Sequence, residues 1–274
     1  MSGSVRAVSR ALDILLCFSQ EQSGLSLTQI ADKIGMSKST VHRLLTTLEE
    51  QRFVNRDKTT GTYHLGYRLI EMAALVLQDA ERQQWALPYL QRLSVECGET
   101  VDLAVLDGAH AVYLQVVESS QRVKIAAAVG QRLPAHCTAS GKAFMAFLPD
   151  DQVGSILATG VNRYTESTRV SPSDLFEDFR VTRERGFAIS QGEYEADIHA
   201  VAAPILDAKG YPIAVIAVVG PSYRLSHERM LMLGQMILVT TDAIRREMSL
   251  TTLSMLLSRT RTPGTAGQTD QRGQ

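Results

Sequence analysis

The stretch Leu25 to Leu65, LSLTQIADKIGMSKSTVHRLLTTLEEQRFVNRDKTTGTYHL, constrains the chain more than any other, because its pattern specifies two short helices followed by a β-hairpin. Leu27, Ile30, Ala31 and Ile34 recur at i, i+3, i+4 and i+7, the spacing of a helix packed on one face. Ser26 with Gln29 makes an S-x-x-Q capping box at its start, and Gly35 suits its end. After the turn Gly35-Met36-Ser37, Ser37 can cap a second helix in which Val41, Leu44, Leu45 and Leu48 repeat the spacing. That helix points Lys38, Ser39, His42, Arg43 and Thr46 outward. A polar, cationic face of this length suits a helix whose first turns enter a DNA major groove and hydrogen-bond base edges.

The residues that follow read as a wing. Phe53-Val54-Asn55-Arg56 and Thr62-Tyr63-His64-Leu65 are strand-like, and the polar turn Asp57 to Gly61 carries Lys58, Thr59 and Thr60. A wing lies over phosphates or a minor groove, where Arg56 and Lys58 add affinity without reading sequence. Upstream, Val8, Leu12, Leu15 and Leu16 form a further apolar helical stripe, with Arg6, Ser9 and Arg10 available to backbone phosphates. The candidate DNA-contacting set is therefore Arg6, Ser9, Arg10, Ser26, Ser37, Lys38, Ser39, Thr40, His42, Arg43, Thr46, Arg56, Lys58 and Thr60. The competing reading is a small helical subdomain whose charged face is merely solvated. Caps, turn and wing occurring together weigh against it.

Charge follows the same division. Residues 1 to 68 carry nine Lys or Arg against six Asp or Glu, a net +3, whereas residues 69 to 274 carry nineteen against twenty-three, a net −4. A basic N-terminal unit joined to a mildly acidic larger one fits a DNA-binding module attached to a sensor. At 274 residues and 45% hydrophobic content the chain can bury a large core. No apolar run reaches bilayer length and MSGSVRAVSR lacks a secretory apolar core, so a cytoplasmic protein without membrane contact is expected. Cys17, Cys97 and Cys137 are odd in number and irregularly spaced, which argues against a disulfide framework and a CxxC zinc site.

The segment YRLIEMAALVLQDAERQQW predicts a linker helix over residues 67–84. Its Leu69, Ile70, Met72, Ala73, Val76 and Leu77 cover more of the circumference than one core face needs, which fits burial against another subunit or packing within the chain. From Leu87 onward the pattern becomes mixed. Val101 to Leu106 and Ala111 to Val117 predict antiparallel strands, as do Lys124 to Val129, Phe187 to Ser190, Val201 to Leu206 and Ile213 to Val219. Helices are predicted from Ala139 to Leu148, from the SPSD start at Ser171, and from Glu228 to Glu247. The chain thus reads as α+β: a winged helix-turn-helix in 1–66, the linker, a sensor domain in 85–250, and a helix end with a disordered tail in 251–274.

With both halves in view, the chain resembles the IclR family of bacterial transcription regulators over about residues 5 to 250. Three segments carry the resemblance: LTQIADKIGMSKSTVHRLLTTLEEQRFV with Tyr63-His64-Leu65-Gly66; LPAHCTASGKAFMAFLP; and GEYEADIHAVAAPI with GYPIAVIAVVGPSYRL. It implies a dimerising linker helix, dimers or dimers of dimers, operator DNA as partner, and a GAF-like C-terminal domain binding a small organic acid without a cofactor; a repressor is the reading preferred, with activation left open by the sequence. The family's effector carboxylate meets backbone N–H groups matching Ala139 and Ser140. Thr138 can cap the helix that begins there, leaving its free N–H groups as an anion site. The family's pocket wall corresponds to Arg122, Ile125, Leu133, Ser190, Ile198, Ala200, Ala217 and Val219. Members sensing short keto acids tend to be polar at the last few of these. Ala200, Ala217 and Val219 instead imply an aromatic or otherwise mainly apolar acid, such as a substituted benzoate, since buried polar ligand atoms without partners are costly.

Two other residue groups bear on chemistry. His136-Cys137 pairs a base with a nucleophile, but adjacent residues rarely face one another and no nucleophile elbow surrounds them. Glu193, Glu195, Asp197 and His199 form a denser cluster in which zinc could bind, against the alternative of a solvated loop entering a strand. A GAF-like ligand-binding or zinc-dependent enzyme domain is thus the alternative from another class. The reading adopted is a regulator, not an enzyme, with no resident metal.

Overall fold

Three helices, α1 (Arg6–Leu16), α2 (Leu27–Ile34) and α3 (Lys38–Glu50), precede a hairpin of β1 (Val54–Arg56) and β2 (Tyr63–Leu65) and a helix α4 (Arg68–Gln78) in the computed structural model. It describes residues 5–18, 24–78 and 86–259, with 74–78 and 248–259 described by backbone alone. The chain divides into two units, Met1–Gln83 and Gln84–Gln274. In the first, the capping box closes reciprocally between Ser26 and Gln29, and Gly35 ends α2 in the left-handed conformation at φ 65°. Ile30, Ala31, Val41, Leu45, Leu48, Val54 and Tyr63 share one core with Ile14 and Leu25. Leu25 also bridges to Tyr63, a pairing beside the hairpin that the sequence pattern does not show.

The core takes a different stripe of α1 from the one its spacing predicts. Val8, Leu12 and Leu16 are 57%, 53% and 80% exposed, whereas Ile14 is buried and Ala11 and Leu15 pack beside it. Residues 11, 14, 15 and 18 form an equally regular helical series. A helix apolar on two sides offers two stripes, and spacing alone does not say which one the core takes. Tyr67, just before α4, and Ile70 and Met72 on it are likewise exposed. Val76 and Leu77 lie outside the described side chains, and the tail from Thr260 lies outside the described residues.

The second unit is a six-stranded antiparallel sheet between helices. Its strands are β3 (Thr100–Asp107), β4 (His110–Val117), β5 (Arg132–Pro134), β6 (Ala188–Gln191), β7 (Ile198–Leu206) and β8 (Pro212–Pro221), in spatial order β5-β4-β3-β8-β7-β6. One face packs against α5 (Ala86–Cys97) and α9 (His227–Arg259): Leu90, Leu93, Met230, Leu233 and Ile237 meet Val101, Leu103, Val201, Ile216 and Val218. The other face is lined with small residues. Ala188, Ala202 and Ala217 meet Ala139, Ala143 and Phe144 of α6 (Ala139–Ala146). Outside α6, α7 (Asp150–Leu157) and α8 (Pro172–Arg185) complete that layer through Val153, Leu175 and Phe179.

Helices α5 and α7 are additional to those read from the sequence, and one predicted strand is absent. Residues 124–129 form no ladder, because the edge of β4 is already taken: Val112 pairs with Arg132, Ala111 with Leu133, and Tyr113 N donates to Gln131 O. The displaced segment satisfies its polar groups locally, with Ile125 O accepting from Thr100 Oγ1 and Ala128 N donating to Gln131 Oε1.

Candidate nucleic-acid interface and ligand pocket

Ser37 accepts a hydrogen bond from the Thr40 amide and so fixes where α3 begins. From that start Lys38, Ser39, His42, Arg43 and Thr46 all emerge exposed, while Val41, Leu45 and Leu48 are buried on the opposite side. Several hydroxyls in the candidate set are already engaged. Ser26 serves the capping box, Ser37 lies 2.9 Å from Thr40 Oγ1, and Thr46 donates to His42 O at 2.9 Å. Lys38, His42 and Arg43 are exposed side chains whose donors can reach outward. Arg6 is exposed and Ser9 and Arg10 half-buried on α1.

The wing tip is tied by its own chemistry. The Asp57 carboxylate accepts from the amides of Thr59 and Thr60, which holds its pKa below the usual carboxylate value, chiefly through Thr59. Thr60 and Thr62 hydroxyls meet at 2.7 Å, and Lys58 stays exposed at the tip. Arg56 lies over the Tyr63 ring, 5.6 Å from its centroid. Behind the wing, Gly66 donates to Phe53 O, and a Cβ there would sit 2.1 Å from Arg52 O, so only glycine lets the chain leave the hairpin this close to the end of α3.

In the second unit a cavity open to solvent at its mouth lies on the sheet face covered by α6. Nine of the ten residues expected from the resemblance line it: Ile125, Leu133, Ala139, Ser140, Ser190, Ile198, Ala200, Ala217 and Val219. Thr138 caps α6 by accepting from Gly141 N while donating to Pro134 O at 2.9 Å. Gly141 is pressed so near Ala135 that a Cβ would lie 2.2 Å from its backbone. That contact pins the helix start and leaves Ala139 and Ser140 at the cavity wall.

Arg122 is the exception. It is exposed on the bend after β4 and does not line the cavity, because the backbone turns away to make room for the irregular 124–129 segment. The lining also includes Ala126, Ala127 and the α6 cap Thr138, and six polar or thiol-bearing residues beyond that cap that were not anticipated as ligand contacts: Asp102, Tyr113, Gln131, Cys137, Tyr194 and Glu195. Asp102 sits inside an otherwise apolar strand, and the one available signal was that oddity: a charged residue at an inward position of TVDLAVLD. The cavity therefore has two carboxyl groups and no Lys or Arg in its lining, more polar than the expected wall. Ser190 lines it too, with its hydroxyl donated to Cys137 O at 3.1 Å.

His136, Cys137 and the Glu193–His199 cluster make structural contacts. Burial pushes the Cys137 thiol up to about 12, so it holds no thiolate at neutral pH, and His136 is bound to Asn162 O instead. Glu193 pairs with the fully buried Lys142, His199 with Leu225 O, and Glu195 faces the cavity, so the acidic cluster splits three ways.

Comparison with known proteins places this architecture. Residues 7–58 match the IclR helix-turn-helix domain and residues 74–246 the C-terminal domain of the bacterial transcriptional regulator IclR. The chain belongs to the IclR family. The acetate operon repressor of Salmonella typhimurium is 33% identical over 241 residues, 87% of this chain and 88% of that protein. The IclR structure from Thermotoga maritima is 30% identical with a TM-score of 0.70, covering 88% of this chain and 97% of that one. An IclR homologue from Microbacterium hydrocarbonoxydans, complexed with 4-hydroxybenzoate, shares the fold at 24% identity and a TM-score of 0.75, covering 88% and 99%. IclR-family relatives are transcription regulators, so this chain is a DNA-binding regulator and not an enzyme. Among the described residues no helix is long and apolar enough to cross a membrane.

Proposed function

We propose that this chain is a repressor that grips operator DNA with α3 and the β1–β2 wing and adjusts that grip when a small, mainly apolar, aromatic carboxylic acid fills the cavity of its second unit. The observation carrying this reading is the Thr138-capped start of α6 at a cavity lined by Ala200, Ala217, Val219, Ile198 and Leu133. Unpaired amides and the positive end of the helix dipole favour a carboxylate, and the apolar remainder favours a hydrocarbon body. With Arg122 turned away, the amides bear that role without a cationic side chain. The functional unit is a dimer or a dimer of dimers, supported by the exposed apolar stripes on α1 and α4 and by the few base pairs one recognition helix can read. A ligand alters DNA affinity only through its different affinity for two arrangements of the subunits.

Footprinting of the full chain on the DNA upstream of its own coding region, with and without candidate acids, tests the first half. Calorimetry with benzoates, pyruvate and glyoxylate tests the second. Tight binding of pyruvate or glyoxylate with no heat from any aromatic acid would overturn the effector class. DNA-independent turnover would overturn the regulator reading in favour of an enzyme.

A further inference from the structure

Asp102 is the least comfortable side chain in the second unit. It stands on β3, its register partners are Ala217 on β8 and Val116 on β4, and it is 1% exposed. Neither carboxyl oxygen has a hydrogen-bond partner, yet the side chain lines the ligand cavity. Buried polar groups are almost always paired, and an orphan of this kind costs stability that a core alanine or leucine would not. An orphan facing a cavity is different, because a ligand can supply the missing partner.

The α6 start at Ala139 and Ser140 and the β3 side chain Asp102 line one and the same cavity, and Asp102 stands beside Ala217 in the sheet beneath it. A molecule with its carboxylate at the α6 amides therefore shares the cavity with Asp102, which its remaining polar atoms can meet.

Resting on the carboxylate-at-α6 reading above, we propose that Asp102 selects effectors carrying a neutral ring hydroxyl in addition to the carboxylate, the hydroxyl and the Asp102 carboxyl group forming the hydrogen bond that Asp102 does not make within the protein. Burial alone carries the Asp102 pKa up to about 8, so at neutral pH it is chiefly an uncharged acid, able both to donate and to accept. No Lys or Arg lines the cavity to favour its ionised form, and Tyr113 beside it is kept a neutral phenol by burial. A hydroxyl meets such a group without burying a net charge, whereas an ammonium would require Asp102 to ionise.

Calorimetry on the full chain with benzoate, 3- and 4-hydroxybenzoate and 4-(aminomethyl)benzoate decides it. The better hydroxybenzoate should bind about tenfold or more tighter than benzoate, the scale expected when a buried partner is made or missing. In Asp102→Leu that ratio should fall to within about twofold, through lost hydroxybenzoate affinity and not gained benzoate affinity, and in Asp102→Asn part of it should survive. Both variants should also melt higher than wild type without ligand, since each removes an orphaned acid; a lower melting temperature in both would mean that Asp102 is structural and overturn the proposal. Benzoate and both hydroxybenzoates binding equally to wild type, or a preference that persists in Asp102→Leu, would overturn it while leaving the carboxylate reading intact. Preference for the ammonium ligand with proton release would overturn the neutral-hydroxyl choice. Silence from every acid would overturn both readings together.

Discussion

Lys142 and Asp178 meet at 2.7 Å in the interior of the second unit, joining α6 to α8 where Lys142 is fully buried. Lys142 also binds Glu193 and donates to Ile189 O at 2.6 Å, and Arg169 reaches Asp178 from the surface. The network sets the position of α6 and with it the amides at the cavity. Lys142→Met leaves two carboxylates without their central cation, so it should destabilise the protein by about 3–5 kcal/mol. Urea unfolding of the full chain, followed through the second unit, checks this. A loss below about 1 kcal/mol would show the network to be dispensable.

Recognition and grip should separate on the DNA-binding unit. Arg43→Ala on α3 should cost about 1–3 kcal/mol on the operator and relax preference at one base pair, as expected for loss of a bidentate guanine contact. Lys58→Ala at the wing tip should weaken all sequences alike and lower the slope of log K against log salt by about one. Fluorescence anisotropy at several salt concentrations, on operator and scrambled duplexes, distinguishes the two. Unchanged affinity in both variants would contradict the assignment of this face.

The exposed stripe on α1 and the apolar residues on α4 make an association test that leaves the fold alone. Leu12→Asp and Ile70→Asp alter side chains outside their unit's core, so each should fold normally yet shift sedimentation toward monomer. Operator affinity should fall with the loss of paired half-sites. A wild-type chain sedimenting as a monomer at micromolar concentration, with operator binding intact, would rule out the dimer.

Asp102 should leave a mark on the pH dependence of stability. Its folded-state pKa of about 8 lies above the roughly 3.9 of an exposed aspartate. Between those values the folded protein keeps a proton that the unfolded chain has released, so stability falls as pH rises through that window. The advantage of Asp102→Asn over wild type should therefore widen from about pH 4 to about pH 8 and level off above. Tyr113 and Tyr194, facing the same cavity, are pushed up by burial and stay protonated across the window, and Glu195 is common to both proteins. Paired urea titrations at pH 5, 6.5 and 8 measure the difference; a constant gap would show that Asp102 does not titrate there.

Gly141 faces Ala135 across a gap that admits no side chain. Gly141→Ala should push α6 outward, lower the melting temperature, and weaken acids in the cavity more than it weakens DNA binding. Differential scanning fluorimetry with and without benzoates reads both effects, and an unchanged profile would mean that the start of α6 is looser than this contact requires.

Local chemistry alone specified much of this protein. Ser26 with Gln29, Ser37, Gly35 and the Asp57–Gly61 turn act within a few residues of themselves, and each capping or turn contact forms where sequence spacing put it. Thr138 at the head of α6 was legible for the same reason. The rest was decided by partners distant in sequence. Only packing chose Ile14 over Val8 and Leu12 as the inward side of α1, because both stripes have helical spacing. Only the sheet order, by giving the edge of β4 to Arg132–Pro134, turned residues 124–129 into cavity wall and carried Arg122 out of it. The role of Asp102 required both: the sequence supplied a carboxyl group amid apolar neighbours, and antiparallel pairing with Ala217, a residue more than a hundred positions away, left it buried, unpartnered and facing the cavity.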